Sequence, residues 1–274
     1  MSSSVSATPP AGAQDPSRER AAALRSYLHL GNYRIKGWIE PAILWVCRDL
    51  AREQERRGVS GSIVEIGVHH GRFFVGLCLT AAVEHEAALA IDLFGRQDLN
   101  IDKSGKGDEA VFRRNLGRFG LQDDTQVLAA DSTTLAANDV TKRVGPVRVF
   151  SVDGGHTAGI VEHDTTLAAE TLAPGGIVIG DDVFNASWPG VVEGTLAFLD
   201  SHPAFVPFGI AFNKVLICDV EHADAYREAL LGLARRRFWI SKVTEFRGHP
   251  VVQLAIRPWD FRARLAGKRL LGRD

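Results

Sequence analysis

The sequence predicts an α/β protein: a doubly wound, mostly parallel sheet of Rossmann-like type, preceded by N-terminal helices. Two observations predict it. From residue 61 onward, short apolar runs alternate with longer stretches of helical period, the signature of successive βαβ units. Several of those runs are continuously apolar rather than alternating, as expected for strands covered on both faces. Right-handed crossovers then make the sheet parallel.

The elements follow in order. Helical period starts near residue 18 and runs to about 30, with Ala22, Leu24, Leu28 and Leu30 among its apolar positions, until Gly31-Asn32 breaks it. A second helix covers residues 40–57, where Ile43, Leu44, Val46, Cys47, Leu50 and Ala51 recur at threes and fours. Strand and helix then alternate: strand 62–66, helix 72–84, strand 87–93, helix 109–119, strand 125–130, strand 147–152 and helix 157–172. Gly175-Gly176 turns the chain into a fifth strand at 177–180. A helix at 191–199, an apolar stretch at 208–220, a helix to about 237 and a strand at 251–256 complete the pattern. Residues 239–246 add a strand, paired with the last one through Arg247-Gly248-His249.

The organisation is a disordered Ser/Ala/Pro/Gly tail at 1–17, N-terminal helices at 18–60, one domain at 61–260 and a basic amphipathic tail at 261–274. That tail reads as a terminal helix, with a membrane-surface or partner contact as the alternative. With 274 residues, 45% of them hydrophobic, the chain can bury a core without a disulfide or metal staple. A formal net charge of −1 speaks against nucleic acid or an anionic membrane as a general partner. No run reaches the roughly 18 apolar residues that a membrane span needs. Cys47, Cys78 and Cys218 are too scattered for a zinc knuckle or redox pair and read as core residues of a cytoplasmic protein. Self-association is left open.

In a doubly wound sheet, ligands collect at the carboxyl ends of the strands where the strand order reverses. All five strand ends are acidic: Glu65 before Gly67-Val68-His69-His70-Gly71, then Asp92, Asp131-Ser132, Asp153-Gly154-Gly155-His156 and Asp181-Asp182. A glycine turn that opens a helix favours an anionic group, and a carboxylate ending the second strand suits a ribose diol. Each also has a plainer reading, as an ordinary turn and a capping aspartate.

Taken together, these residues and the run Leu172-Ala173-Pro174-Gly175-Gly176-Ile177-Val178-Ile179-Gly180-Asp181-Asp182 resemble class I methyltransferases. More narrowly, they resemble the metal-dependent branch of macrocin-type O-methyltransferases, over about residues 61–182. The resemblance implies that Glu65, Gly67 and Gly71 hold the methionine part of S-adenosylmethionine. It implies that Asp92 takes the ribose hydroxyls and that Asp131 and Ser132 face the adenine. The chain departs from the commoner class I turn at His69, where a glycine is usual. The implied fold makes strands four and five neighbours, so Asp153, Asp181 and Asp182 converge and need a counter-charge, which Mg²⁺ or another divalent cation would supply.

His156 is then the candidate general base toward an acceptor hydroxyl, with a loop or N-cap residue as its plainer reading. Asn185 and Trp188, just after the aspartate pair, are candidates for holding the acceptor, and Trp188 could stack on a ring. Residues 32–38 read as a lid or as a packed connector. Lys214, a polar break in an apolar strand, reads as an edge position or a substrate contact. The expected function is methyl transfer to a hydroxyl of a small molecule such as a sugar or glycosylated metabolite. A hydroxylase-like relative of the same fold, a nicotinamide-dependent oxidoreductase and a non-catalytic binding module are the alternatives. The absence of Gly-x-Gly-x-x-Gly weighs against the nicotinamide enzyme.

Overall fold

The computed structural model describes residues 16–80 and 86–257. The expected N-terminal tail lies mostly, and the basic C-terminal tail wholly, outside the described residues. Helix α1 (Pro16–His29), a 3₁₀ turn (Gly31–Arg34) and helix α2 (Ile43–Arg56) precede the sheet. Strand β1 (Ser62–Ile66), helix α3 (Arg72–Leu79), β2 (Ala88–Asp92), α4 (Glu109–Arg118) and β3 (Thr125–Ala129) form the first half. Helix α5 (Ala137–Val144), β4 (Val147–Val152), α6 (Ala158–Thr171), β5 (Leu172–Gly180) and α7 (Pro189–Ser201) continue it. Strands β6 (Phe205–Ala211) and β7 (Lys214–Asp219), helix α8 (Ala223–Arg237), and β8 (Ile240–Phe246) with β9 (His249–Ala255) end the fold.

The described strands form one nine-stranded sheet in the order β3-β2-β1-β4-β5-β7-β6-β9-β8. Strands β1 to β5 are mutually parallel, and β7 runs antiparallel to β5. The predicted β8–β9 pairing is present, antiparallel, with Phe246 opposite His249. Two apolar layers cover the sheet. One holds Ile43, Leu44, Phe74 and Leu230; the other holds Val64, Phe150, Leu167 and Phe198. Strands β1 and β4 are buried along their whole length, which is why they read as continuous apolar runs. Cys47, Cys78 and Cys218 are free thiols buried in this core, and burial raises the Cys47 thiol to about 12.

Some expectations are corrected. The apolar stretch 208–220 is not one strand but the second part of β6 and then β7, joined at Phe212-Asn213. Phe212 takes φ +65 there, a conformation usually given to Gly or Asn, so that Asn213 alone is a weak turn signal inside an apolar run. Helix α5 was not anticipated. It is short, buries only Val140 fully, and is started by Asp139, whose carboxylate accepts from Ala136 N–H at 2.9 Å. The third helix was expected to reach residue 84, and residues 81–85 lie outside the described ones. Lys214 is not at an edge, because β7 lies between β5 and β6. No described helix is long and apolar enough to cross a membrane.

Candidate active site

The strand order reverses between β1 and β4, so the cleft above those two ends is the switch point. Register brings the ends level: Ile66 pairs with Ile91 and with Val152, Val152 with Gly180, and Gly180 with Val215. Backbone bonds continue past the strands, from Gly67 N–H to Ile91 O at 2.8 Å, Asp153 N–H to Ile66 O at 3.0 Å and Asp181 N–H to Val152 O at 2.9 Å. One rim therefore carries Glu65, Asp92, Asp153, Asp181 and Asp182 together.

On the cofactor side, Gly67 sits at φ +85, and a Cβ there would lie 1.7 Å from the Asp153 carbonyl oxygen. The glycine is needed for the β1 turn to reach the β4 end. Gly67→Ala is therefore expected to cost about 2–5 kcal/mol, from overpacking plus left-handed strain. Urea unfolding measures it, and a loss under about 1 kcal/mol, the scale of an ordinary substitution, contradicts this account. Gly71, at φ +87, caps α3 against the Phe112 ring. Glu65 is 1% exposed, and its Oε2 has no hydrogen-bond partner. Burial drives its carboxyl well above the usual range, and Lys214 partly offsets this. Asp92 accepts backbone N–H from His69 at 2.7 Å and Phe94 at 2.6 Å.

Asp131 caps a 3₁₀ turn, accepting from the Thr133 N–H at 3.0 Å, while buried Ser132 donates its hydroxyl to Asp164 at 3.0 Å. Asp164, wholly buried on α6, was not singled out from sequence; it sits under Gly154, where a Cβ would come within 2.9 Å of its carboxylate. Residues 32–38 are anchored at their base, with Asn32 buried and Arg72 Nη1 donating to Gly37 O at 2.6 Å. Trp38 is exposed above the glycine turn, its ring 5.0 Å from His69.

On the other side, the three aspartates part company. Antiparallel register sets Lys214 opposite Asp181, and the buried ammonium forms an ion pair with its carboxylate. The other Asp181 oxygen accepts the Asp182 N–H at 2.7 Å. Lys214 is 2% exposed, with its Nζ 5.0 Å from the Phe73 ring. Burial acts to lower its pKa, but Asp181 and Asp153 outweigh this and hold it above the lysine norm. Asp153 keeps a carboxyl raised well above its norm, by burial and then by Asp181.

Asp182 adopts φ +56, a left-handed conformation rare for a side chain larger than glycine. Asn185 at 3.2 Å and Asn213 at 2.5 Å both donate to its Oδ1. Its carboxyl stays below its norm because hydrogen bonding to His156 and Asn185 outweighs burial. His156 stacks on Trp188 at 4.2 Å and 20°, so one face of Trp188 serves the histidine rather than a ligand. His156 Nε2 lies 3.5 Å from Asp182, and Nδ1 lies 2.6 Å from Asp102. Asp102 and Asn213 escaped the sequence reading. Neither belongs to a strand-end motif, and each reaches the site only through folding.

The donor set fits a divalent cation at a shifted place. Among the described residues, ligand atoms of Asp153, His156 and Asp182 lie within 4.8 Å of one another, while Asp181 is held by Lys214. Two carboxylates suit a hard cation, and an added imidazole suits Mn²⁺, Fe²⁺ or Zn²⁺ better than Mg²⁺. The methyl-donor side fits as well. The unpartnered Glu65 oxygen is a buried acceptor beside the turn, and the N-terminus of α3 opens there.

Fold and rim together define an α/β protein whose switch point sets a glycine turn beside a cluster of carboxylates and an imidazole. Residues 64–183 match a family model described as a methyltransferase domain. Among solved structures, the O-methyltransferase NovP is similar with a TM-score of 0.58 at 16% identity, over 75% of this chain and 99% of that one. Cofactor-bound Rv0187 from MTB is similar with a TM-score of 0.50 at 15% identity, over 76% and 91%. At such identities these two establish the shared fold. No curated protein matches the sequence significantly.

Proposed function

We propose that the protein transfers a methyl group from S-adenosylmethionine to a hydroxyl of a small molecule, assisted by a divalent cation. The observation that carries this reading is the placement of His156. It is gripped at Nδ1 by Asp102, has Nε2 toward Asp182, and stands across the switch point from the Glu65–Gly71 turn. Glu65 and the turn would bind the methionine part, and Asp92 would accept from the ribose diol with the lone pairs its backbone bonds leave free. Asp131 and Ser132 would border the adenine. Asp153 and Asp182 would hold the cation, and Lys214 keeps Asp181 out of that set.

When bound, the donor supplies a sulfonium methyl, and the cation lowers the pKa of an acceptor hydroxyl. His156 Nε2 would take the hydroxyl proton as the methyl group passes to that oxygen. The chain's main contribution is to hold the oxygen in line. Exposed Trp38, Ile101 and Phe184 adjoin His69, Asp102 and Asp182, which suits an acceptor with apolar or ring surface, such as a sugar attached to a larger body. In a second reading, favoured by the Asp153–His156–Asp182 grouping, His156 is itself a ligand of the cation.

Titration calorimetry with S-adenosylhomocysteine and with NAD tests the cofactor. The expected outcome is binding of the first at roughly micromolar concentration and none of the second. Binding of NAD alone would replace methyl transfer by hydride transfer. With an acceptor found by mass-detected methyl labelling, excess chelator is expected to stop turnover and Mg²⁺ or Mn²⁺ to restore it. Full turnover in chelator removes the cation from the mechanism.

A further inference from the structure

We infer that residues 93–108 form a strap across the cofactor cleft, latched onto His156 by Asp102, and that Asp102 is a positioning residue for that imidazole. The inference deepens the proposed methyl transfer and rests on it for the identity of the cofactor. The strap leaves the end of β2 and returns to α4, and in between it touches both ends of the cleft. At one end, a Cβ on Gly107 would come within 2.9 Å of the Asp92 carboxylate, so the strap lies against the group assigned to the ribose. At the other end, Asp102 Oδ2 accepts the His156 backbone N–H at 2.8 Å and meets its Nδ1 at 2.6 Å.

Asp102 is itself held. Its Oδ1 accepts from Ser104 N–H at 2.9 Å and Ser104 Oγ at 2.6 Å, and Asn100 Nδ2 donates to Ser104 O at 2.6 Å. Asp102, Ser104 and Gly107 turn inward and are half-buried, while Ile101, Lys103, Gly105 and Lys106 face outward. A carboxylate accepting at Nδ1 keeps a proton on that nitrogen, so the ring exchanges its other proton at Nε2, which faces Asp182. The strap thus couples covering of the cleft to orientation of the base.

The test uses the full chain and three variants, Asp102→Ala, Asp102→Asn and Ser104→Ala. Trypsin has exposed targets in the strap at Arg96, Lys103 and Lys106. Asp102→Ala is expected to raise the rate of nicking there about ten-fold, because charge-assisted bonds close the strap. Asp102→Asn, which keeps an oxygen acceptor, is expected to stay within about three-fold of the parent chain. The imidazole ¹⁵N spectrum, with His156 assigned through His156→Gln, is expected to show the proton on Nδ1 in the parent and in Asp102→Asn, and mixed tautomers in Asp102→Ala. S-adenosylhomocysteine is expected to slow nicking of the parent chain.

Unchanged nicking and an unchanged tautomer in Asp102→Ala overturn the latch. Binding of S-adenosylhomocysteine without protection of the strap overturns its role as a cover. Failure of S-adenosylhomocysteine to bind at all overturns the cofactor reading, while nicking and tautomer in the ligand-free chain still decide the latch. If Asp102→Ala does not fold, Ser104→Ala gives the same comparison in weaker form, with faster nicking expected and an unchanged rate counting against the latch.

Discussion

Replacing Lys214 by methionine is expected to remove about 3–5 kcal/mol of stability at pH 7, as breaking one half of a buried ion pair does. Methionine matches the length and apolar stem of lysine, so little packing is lost. What remains is a carboxylate at Asp181 without its partner, with Asp153 and Glu65 among the groups that share the field of the same ammonium. Removing both charges of a pair can be neutral, but removing the cation alone leaves buried anions that water cannot reach.

The pH dependence follows from the sign of the shifts. In the parent chain Lys214 is held above its ordinary value, so its contribution is complete below about pH 10.4, the value in an unfolded chain, and is lost as pH rises through the folded value. In the variant, the Asp153 and Glu65 carboxyls, already raised by burial, lose the ammonium that offsets the rise and move further up. The defect is then present at neutral pH and shrinks as pH falls toward about 4, where the unfolded carboxyls also take up protons. Urea unfolding at pH 5 and pH 8 reads both. A loss below about 1 kcal/mol at pH 8, the scale of a surface pair, would mean that Lys214 is not the cluster's counter-charge.

For His156→Gln the expected result is a fall in kcat of about 10²–10⁴-fold, the usual contribution of a general base. Glutamine retains a polar side chain of similar reach but cannot take up a proton. S-adenosylhomocysteine affinity is expected to change little, since the donor is assigned to Glu65, Gly67, Gly71 and Asp92 on the far side of the cleft. The same variant separates the two readings of His156. As the base, it leaves Mn²⁺ affinity, followed by electron paramagnetic resonance, within a few-fold of the parent. As a ligand, its loss weakens that affinity at least as much as loss of a supporting group does, about 10–100-fold. Undiminished kcat would remove His156 from the chemistry under either reading.

Sequence alone carried the strand ends. β4 is found where its apolar run lies, and Glu65, Asp92, Asp153, Asp181 and Asp182 do share one rim, because the parallel register aligns the carboxyl ends of these strands. That follows from local periodicity and from the handedness of βαβ crossovers, both of which are properties of short stretches of chain. Only the tertiary structure decided how those groups are used. Three aspartates read as equivalent in sequence, yet antiparallel pairing of β7 gives Asp181 to Lys214. The partner that orients His156 is Asp102, 54 residues away on a loop with no strand or helix to announce it. Charge compensation depends on distance in space, and distance between residues remote in sequence is set by register and packing rather than by composition or period.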